Sequence, residues 1–274
     1  MIFFRVFLIL IYLMSLRQVN AANITGSNTI NSDSSTQQVY NADDTSLTIT
    51  DSSTLSRSGA APVNINGKDN GTLTINSGST VTSTASNAVQ GKDQSGLTIT
   101  NSGTINADGS KAINLLNAQT STVTNKSGGV IKSNTNTITV TENSGVANNV
   151  TINNSGQISA GAASSGATSN NAIRSEDDTD NVTVVNNVGG HIHNNNTSSS
   201  ALNAATVFIA ANSSATLTNS GTIENKGGVE NFAIGLAGNG VTMTLKDDGK
   251  VIGKISIAGG STTAHTIKLQ HGVG

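Results

Sequence analysis

The chain contains no cysteine, no tryptophan and a single proline, Pro62. Without cysteine it has no disulfide framework, so packing and hydrogen bonding alone must stabilise the fold. Aromatic residues make up 3% and charged residues 11% of the 274 residues, which argues against an ordinary globular core. The formal net charge of −2 gives no reason to expect nucleic acid or an anionic membrane as a partner.

Most of the chain consists of Asn, Ser, Thr, Gly and Ala interleaved with Ile, Val and Leu. Intrinsic disorder is the first alternative for so polar a composition. Disordered segments, however, usually combine low hydrophobicity with high net charge and few β-branched residues. Here the net charge is close to zero and β-branched residues recur throughout, so the composition favours a β structure built from small parts.

Residues 1–22 differ from the rest of the sequence and have the pattern of a secretory signal peptide. Arg5 supplies the positive start, residues 6–16 form an apolar run, and small residues near Ala21 offer a cleavage point. The run is shorter than the roughly 18 residues that a bilayer span needs, and Arg17 follows it, which disfavours a membrane anchor. We therefore predict cleavage near Ala21 or Ala22.

A short motif recurs along residues 23–274. The clearest copies are residues 47–55, 73–81 and 97–105, and weaker copies follow at 121–131, 150–158, 182–192, 215–223 and 241–251. Their first residues are separated by 26, 24, 24, 29, 32, 33 and 26 positions. A fixed period of this size is the signature of a solenoid, and the longer intervals indicate insertions.

Each repeat is predicted to contain three short strands. Leu97 and Ile99 alternate with threonines, as in a strand with one buried face, and the Asn-Ser-Gly that follows favours a turn. Ile105 marks a second strand, and a later apolar pair such as Val63 with Ile65 marks a third. This pattern predicts an all-β, right-handed parallel β-helix of about 26 residues per three-strand coil. Nine or ten coils stacked about 4.8 Å apart would form a rod about 45 Å long.

Asparagine residues at the turn should stack from coil to coil. Their amide groups could then donate and accept hydrogen bonds in a ladder parallel to the rod. We assign this ladder a structural role and predict no catalytic residue in it. Its predicted members are Asn76, Asn101, Asn125, Asn153 or Asn154, and Asn219.

Repeats of the form L-T-I-T-N-S-G-T-I, as in residues 97–105, resemble the passenger domains of bacterial autotransporters, the proteins of type V secretion. Residues 249–260 and 266–272 also look like the later coils of such passengers. The resemblance covers nearly all of residues 23–274. It implies export across two membranes, display at the cell surface, and adhesion to a host-cell or other surface receptor or glycan.

Autotransporters are similar to one another in carrying a C-terminal translocator barrel, whose strands alternate in hydrophobicity. Residues 231–274 lack that pattern and end inside a coil without a polar cap. We therefore expect residues 23–274 to be an incomplete passenger-like domain from a truncated reading frame, a fragment or a split gene. Expressed alone it would reach the periplasm, and membrane contact and surface display would depend on a separate or missing barrel.

Glu176, Asp177, Asp178 and Asp180 form the densest acidic cluster and lie in one of the insertions. Carboxylate oxygens at this density could hold Ca²⁺, which makes them the candidate metal ligands and Ca²⁺ the only candidate cofactor. The spacing matches neither the EF-hand loop nor the nonapeptide calcium repeat. Solvated loop charge is the alternative explanation.

His191 and His193 fall on one face of a predicted strand, as two metal ligands could. Zinc normally takes three or four protein ligands, and His265 and His271 are far away along the chain. A polar outward face is therefore the alternative. The repeated segments 67–71 and 91–96 contain Gly-Lys-Asp but no Walker-type phosphate-binding pattern, so they are interpreted as stacked turns.

Three functions remain open. The leading hypothesis is an exported, non-enzymatic stalk or adhesin that presents the longer loops, residues 161–181 and 193–205. The second is a secreted carbohydrate-active β-helix enzyme, a polysaccharide lyase or glycosidase, which would need paired carboxylates or a carboxylate beside a base. The third is a truncated remnant without function. The acids available to an enzyme are Asp43, Asp44, Asp93, Asp247 and Asp248, and the arginines are Arg57 and Arg174.

Overall fold

The computed structural model of the chain describes residues 21–143, 148–161, 170–176, 181–196, 202–210, 215–246, 248–258 and 264–270. Short strands of three to seven residues occupy most of this length, with one 3-10 turn at Leu202–Ala204. The strands are β1 (Ala21–Ile24), β2 (Ser27–Ile30), β3 (Gln37–Tyr40), β4 (Ser46–Ile49), β5 (Thr54–Arg57), β6 (Val63–Asn66), β7 (Thr72–Ile75), β8 (Thr80–Ser83), β9 (Val89–Ser95), β10 (Thr98–Asn101), β11 (Thr104–Ala107), β12 (Ile113–Gln119), β13 (Ser121–Asn125), β14 (Val130–Ser133), β15 (Ile138–Thr141), β16 (Val150–Asn154), β17 (Gln157–Ala160), β18 (Ile173–Ser175), β19 (Val182–Asn186), β20 (His191–Asn194), β21 (Val207–Ile209), β22 (Thr216–Asn219), β23 (Thr222–Asn225), β24 (Phe232–Leu236), β25 (Thr242–Lys246), β26 (Lys250–Ile252), β27 (Lys254–Ile257) and β28 (Thr266–Gln270).

The strands form three parallel sheets, and each coil of the chain adds one strand to each sheet. Sheet 1 has the order β1-β3-β6-β9-β12-β15-β18-β21-β24-β27, and sheet 2 has β2-β4-β7-β10-β13-β16-β19-β22-β25-β28. Sheet 3 contains β5-β8-β11-β14-β17-β20-β23-β26. Neighbours within a sheet are three strands apart in the chain from β3 onward, which is the topology of a parallel β-helix. The predicted architecture is confirmed.

The core is a set of aliphatic columns that run along the rod. In sheet 3, Leu55, Val81 and Ile105 occupy equivalent positions in successive coils, and all three are fully buried. The corresponding column of sheet 1 begins Val63, Val89. Since each side chain is covered by the coils before and after it, small aliphatic residues fill the core without aromatic rings. This explains the low aromatic content of the sequence.

Tyr40 is the exception near the start of the rod. Its ring is 2% exposed, and its hydroxyl donates a hydrogen bond of 2.7 Å to the carbonyl oxygen of Thr72. Burial raises the pKa of this phenol well above its ordinary value. Tyr40 therefore fills the core of the first coils with its polar tip satisfied.

Sheet 2 departs from the motif alignment at one step. The sequence repeats match Leu73 to Leu97, whereas the structure pairs Leu73 with Ile99 and Ile75 with Asn101. The shift is two residues, so the inward and outward positions are preserved. The turn after this strand compensates for the shift of two residues. In the next strand Val81 again pairs with Ile105, 24 residues later, as the motif alignment predicts.

The two ends of the described rod differ. Strand β1 begins at Ala21, at the end of the predicted signal peptide, and pairs with β3. At the other end, apolar side chains of β26 to β28 are exposed, with Leu269 at 78% and Ile257 at 46%. Among the described residues no helix is long and apolar enough to cross a bilayer.

Candidate functional site: the asparagine ladder and the groove beside it

A ladder of buried asparagine side chains runs along one corner of the rod, where sheet 2 ends. Each Nδ2 donates to the Oδ1 of the next asparagine: Asn101 to Asn125 at 2.9 Å, Asn125 to Asn154 at 2.9 Å, Asn154 to Asn186 at 2.8 Å, and Asn186 to Asn219 at 2.8 Å. All five residues are at most 1% exposed. The ladder thus repeats with the coil and runs parallel to the backbone hydrogen bonds.

The ladder also satisfies the carbonyl groups of the turn. Asn125 Nδ2 donates to the carbonyl oxygens of Gly129 and Gln157, each at 3.1 Å. Asn186 Nδ2 donates to the carbonyl oxygen of Thr222 at 3.1 Å. Buried carbonyl groups without partners would cost free energy, so these bonds stabilise the turn inside the rod. The role of the ladder is structural.

The predicted ladder includes one residue, Asn76, that lies outside the observed ladder, and it left a choice open between Asn153 and Asn154. Asn101, Asn125 and Asn219 lie in the observed ladder. Asn76 does not, because the two-residue shift places Asn101 over Ile75, and Asn76 is exposed and donates to Thr50 Oγ1 at 3.2 Å. Of the two alternatives at 153 and 154, Asn154 is the buried member and Asn153 is partly exposed on the other face of the strand.

Asn186 is a member that the sequence prediction missed. It lies in the weak copy 182–192, where Val184-Val185 replaces the usual Ile-Thr. Its signal was the asparagine four residues after Val182, which corresponds to Asn125 four residues after Ser121. The register of β16 and β19 sets Asn154 beside Asn186.

Outside the ladder, a groove of about 350 Å³ extends over three successive coils and opens to solvent. Two stacked turns form its floor, and sheet 3 supplies most of its ionisable side chains. Its lining consists of Val188, Gly189, Gly190, His191, Ser220, Gly221, Thr222, Glu224, Asp248 and Lys250. These described lining residues include two carboxylates, one imidazole and one ammonium group, but no Phe, Tyr or Trp side chain.

The floor is close-packed because its glycines lack side chains. A Cβ on Gly221 would collide with the carbonyl oxygen of Gly190 and would lie 2.5 Å from that of Asn187. The same close approach recurs at Gly156, over Gly129 and Lys126. Glycine is therefore required here by the stacking of one turn on the next.

The groove has a polarised wall. His191 Nε2 and Glu224 Oε2 are 2.9 Å apart, on neighbouring strands β20 and β23. The imidazole rings of His191 and His193 lie side by side, with centroids 4.6 Å apart. The contact between His191 and Glu224 is partly exposed, so its contribution to stability is small. It nevertheless leaves a carboxylate facing the groove.

His193 is the buried end of this cluster, at 5% exposure. Its Nε2 lies 2.8 Å from Gln157 Nε2 and 3.3 Å from Lys226 Nζ. Burial, then the charge of Lys226 and then that of His191, lower the pKa of His193 to about 4. Since Lys226 only donates, Nε2 is positioned to accept, and the lowered pKa keeps His193 neutral near pH 7.

This arrangement does not make the two histidines a metal site. The Nε2 lone pair of His193 is directed at hydrogen-bond donors, and His191 is paired with Glu224. Within the described ranges, no three His, Cys, Asp or Glu side chains converge as metal ligands would. The pair instead forms part of a hydrogen-bonded polar wall on sheet 3.

Only Glu176 of the predicted calcium cluster lies among the described residues, and Asp177, Asp178 and Asp180 lie outside them. Glu176 Oε1 accepts a hydrogen bond from Arg174 Nε at 2.9 Å, and the guanidinium of Arg174 packs 5.1 Å from the ring centroid of Phe208. This carboxylate is therefore engaged with a cation on the outer face of sheet 1.

Of the other predicted acids, Asp43 and Asp44 lie in the turn between β3 and β4, and Asp93 lies near the end of β9. Asp43 Oδ1 accepts from the backbone amide of Asp69 at 3.0 Å, and Asp44 Oδ1 accepts from Asn70 Nδ2 at 3.0 Å. Asp93 accepts from the amide of Asn117, and this bond keeps the pKa of Asp93 below its usual value. These carboxylates join one coil to the next and do not converge on a common point with a base.

The groove brings together residues that sequence analysis had not connected. Asp248 was a predicted acid, and it lines the same cavity as Glu224, Lys250 and His191, whereas Asp247 lies outside the described residues. Glu224 was not predicted, because nothing in the sequence shows that its side chain meets His191, 33 positions earlier, on the neighbouring strand. Comparison of the chain with protein-family profiles, curated protein sequences and solved structures found no match in any of the three.

Proposed function

We propose that this chain is the non-enzymatic rod of an exported surface protein and that it holds loops in position for contact with a host-cell or other surface receptor or glycan. The observation that carries the proposal is the continuous interior. Aliphatic columns and the Asn101–Asn219 ladder run through successive coils, and each coil is stabilised mainly by its neighbours. Such a rod provides length and rigidity.

The loops supply the contact surface in this proposal. Residues 162–169 lie between two positions that are close in space, because Asn170 Nδ2 donates to the carbonyl oxygen of Gly161 at 3.4 Å. An insertion that leaves and re-enters the rod at one point adds binding surface without disturbing the stacking. The segment 144–147 also has adjacent ends, with Asn148 Nδ2 at 3.4 Å from the carbonyl oxygen of Thr141. It lies outside the loops 161–181 and 193–205 to which the proposal assigns contact, so it serves as the control.

Export in this proposal uses residues 1–22 as a cleaved signal peptide, and surface display uses a translocator barrel of the autotransporter type supplied separately or by a longer parent protein. Mass spectrometry of the chain recovered from the periplasm tests the first step. We expect a new N-terminus at Ala22 or Asn23. An uncleaved chain retained in the cytoplasm would refute export.

Adhesion is tested by replacing residues 162–169 with a short Gly-Ser linker, which the adjacent ends of the loop permit. Beads coated with the chain should bind epithelial cells or a glycan array, and the replacement should reduce binding. The matched control replaces residues 144–147 in the same way. Equal binding by the native chain, the two variants and uncoated beads would contradict the proposal.

A second function has one specific observation in its favour. Glu224 and Asp248 line one cavity with His191 and Lys250, which is the kind of arrangement that a polysaccharide lyase or glycosidase needs. Release of reducing ends from pectin and other glycans by the native chain, and its loss in Glu224→Gln, would establish enzyme activity and displace the non-enzymatic rod. No release at all would remove this alternative.

A further inference from the structure

The outward face of sheet 2 carries threonine in two parallel columns. The first column contains threonine in eight consecutive coils, from Thr72 through Thr98 and Thr122 to Thr266. The second contains threonine in five consecutive coils, from Thr29 to Thr124. Asn153 and Val185 occupy the next two coils, and Thr218 and Thr244 follow them. The Thr-x-Thr unit of each repeat thus becomes a grid.

The grid is periodic in two directions. Adjacent strands lie about 4.8 Å apart, and alternate residues along a strand about 6.7 Å apart. The register of sheet 2 is unbroken from β4 to β25, so equivalent threonines stay in line. Neighbouring hydroxyls are within hydrogen-bonding reach, as shown by Thr216 Oγ1 and Thr183 Oγ1 at 3.2 Å. Because threonine is stiff at χ1, these groups are held in position before any ligand arrives.

This face also differs from the other two in charge. From Ser46 to Thr244 its outward strand positions carry no charged side chain. The outer face of sheet 3, in contrast, includes Lys132, His191 and Glu224, and that of sheet 1 includes Arg174. Charged groups hold water strongly around themselves, so their absence leaves a surface of hydroxyl and methyl groups that only Asn153 and Val185 interrupt within these two columns from β7 to β25.

A flat, repeating and uncharged face does not suit a small molecule, which is normally bound in a concave pocket. It suits a partner that is itself a repeating array of hydrogen-bond donors and acceptors without charge. Ice is such a partner, because its water molecules carry no net charge, both donate and accept hydrogen bonds, and recur on a regular lattice. Each hydroxyl would contribute weakly, and the rigid grid allows many contacts to form at once.

We propose that the threonine face of sheet 2 binds ice. The test uses the purified chain in two assays: its incorporation into a slowly growing ice hemisphere, and the shaping of single ice crystals under a cooled microscope stage. The native chain is expected to enter the ice and to produce faceted crystals. Exclusion from ice together with unshaped crystals would overturn the proposal.

The double variant Thr98→Lys/Thr122→Lys places two charges on adjacent coils in the middle of the face. We expect it to lower incorporation at least about tenfold, because two charged side chains interrupt the shared contact area. The control is Thr80→Lys/Thr104→Lys, which changes the same residue type on adjacent coils of sheet 3. It should retain incorporation.

Equal loss in both double variants would refute the assignment to sheet 2. If the lysine pair lowers the melting temperature of the chain, the smaller Thr98→Ala/Thr122→Ala pair replaces it with the same expectation. Sedimentation of the native chain with crystalline chitin or cellulose, with no effect on ice, would also overturn the proposal and assign the face to a polysaccharide. None of these outcomes bears on whether the loops mediate adhesion.

Discussion

Substitution of Asn154 by alanine tests the asparagine ladder at its centre. The side chain donates to Asn186 Oδ1 at 2.8 Å and to the carbonyl oxygen of Gly156 at 3.1 Å. It also accepts from Asn125 Nδ2 at 2.9 Å and from the amide of Gly156 at 3.3 Å. Alanine removes all four bonds and leaves buried groups on both neighbouring coils without one of their partners.

The expected loss follows from these partners. A net hydrogen bond contributes about 1 kcal/mol, and a buried polar group left unsatisfied costs about 1–3 kcal/mol. Because Asn125 keeps two carbonyl partners, only part of its bonding is lost. We therefore expect Asn154→Ala to lower the free energy of unfolding by about 3 kcal/mol.

The matched control is Asn153→Ala, one residue earlier on the same strand and on its outer face. It should change the free energy of unfolding by less than about 0.5 kcal/mol, as surface substitutions usually do. Urea denaturation followed by far-ultraviolet circular dichroism measures both, with the m values compared to verify that the transition is the same. Equal effects of the two substitutions would refute the ladder as a stabilising element.

Two further predictions concern the turns and the buried histidine. Gly156→Ala should lower the melting temperature more than Gly128→Ala, because a Cβ at 156 meets the carbonyl oxygens of Gly129 and Lys126, whereas one at 128 meets nothing within 4 Å and carries only the cost of its positive φ. The reverse order in thermal unfolding would contradict turn stacking as the reason for glycine. Because the pKa of His193 is about 4 in the folded chain and ordinarily about 6.5, the unfolded chain binds the proton first as the pH falls, so the free energy of unfolding should decrease between pH 6.5 and pH 4. Urea midpoints across this range should lose that decrease in His193→Gln and keep it in His191→Gln, and an unchanged slope in His193→Gln would contradict the assignment.

Much of the fold was predictable from the sequence, because each coil of a solenoid repeats the same pattern of residues at a nearly regular interval. The alternation of Leu97 and Ile99 with threonine identified the buried face, and the recurrence of the motif identified the coil. Both signals are local or nearly so. They do not depend on which residue of one coil lies against which residue of the next.

The candidate site depends on the register between coils, which these local signals do not contain. A shift of two residues keeps every side chain on its own face, so the sequence could not show that Leu73 pairs with Ile99 or that Asn76 lies outside the ladder. The pairing of Glu224 with His191 crosses an interval of 33 positions, lengthened by an insertion. An insertion leaves the stacking of the coils unchanged but lengthens the sequence interval between stacked residues. A constant period therefore does not predict which residues meet.

The sequence by itself determined the three-strand coil, the aliphatic interior and the presence of asparagine at the turn, because these follow from residue type and spacing. Only the tertiary structure decided which residues of different coils meet: Asn186 with Asn154 inside the rod, His191 with Glu224 beside the groove, and Thr98 with Thr122 on sheet 2. The physical reason is that parallel stacking joins residues from different coils through backbone register. That register is selected by close packing across the whole coil. The packing includes the turns, where only glycine fits against the carbonyl oxygens of the neighbouring coil.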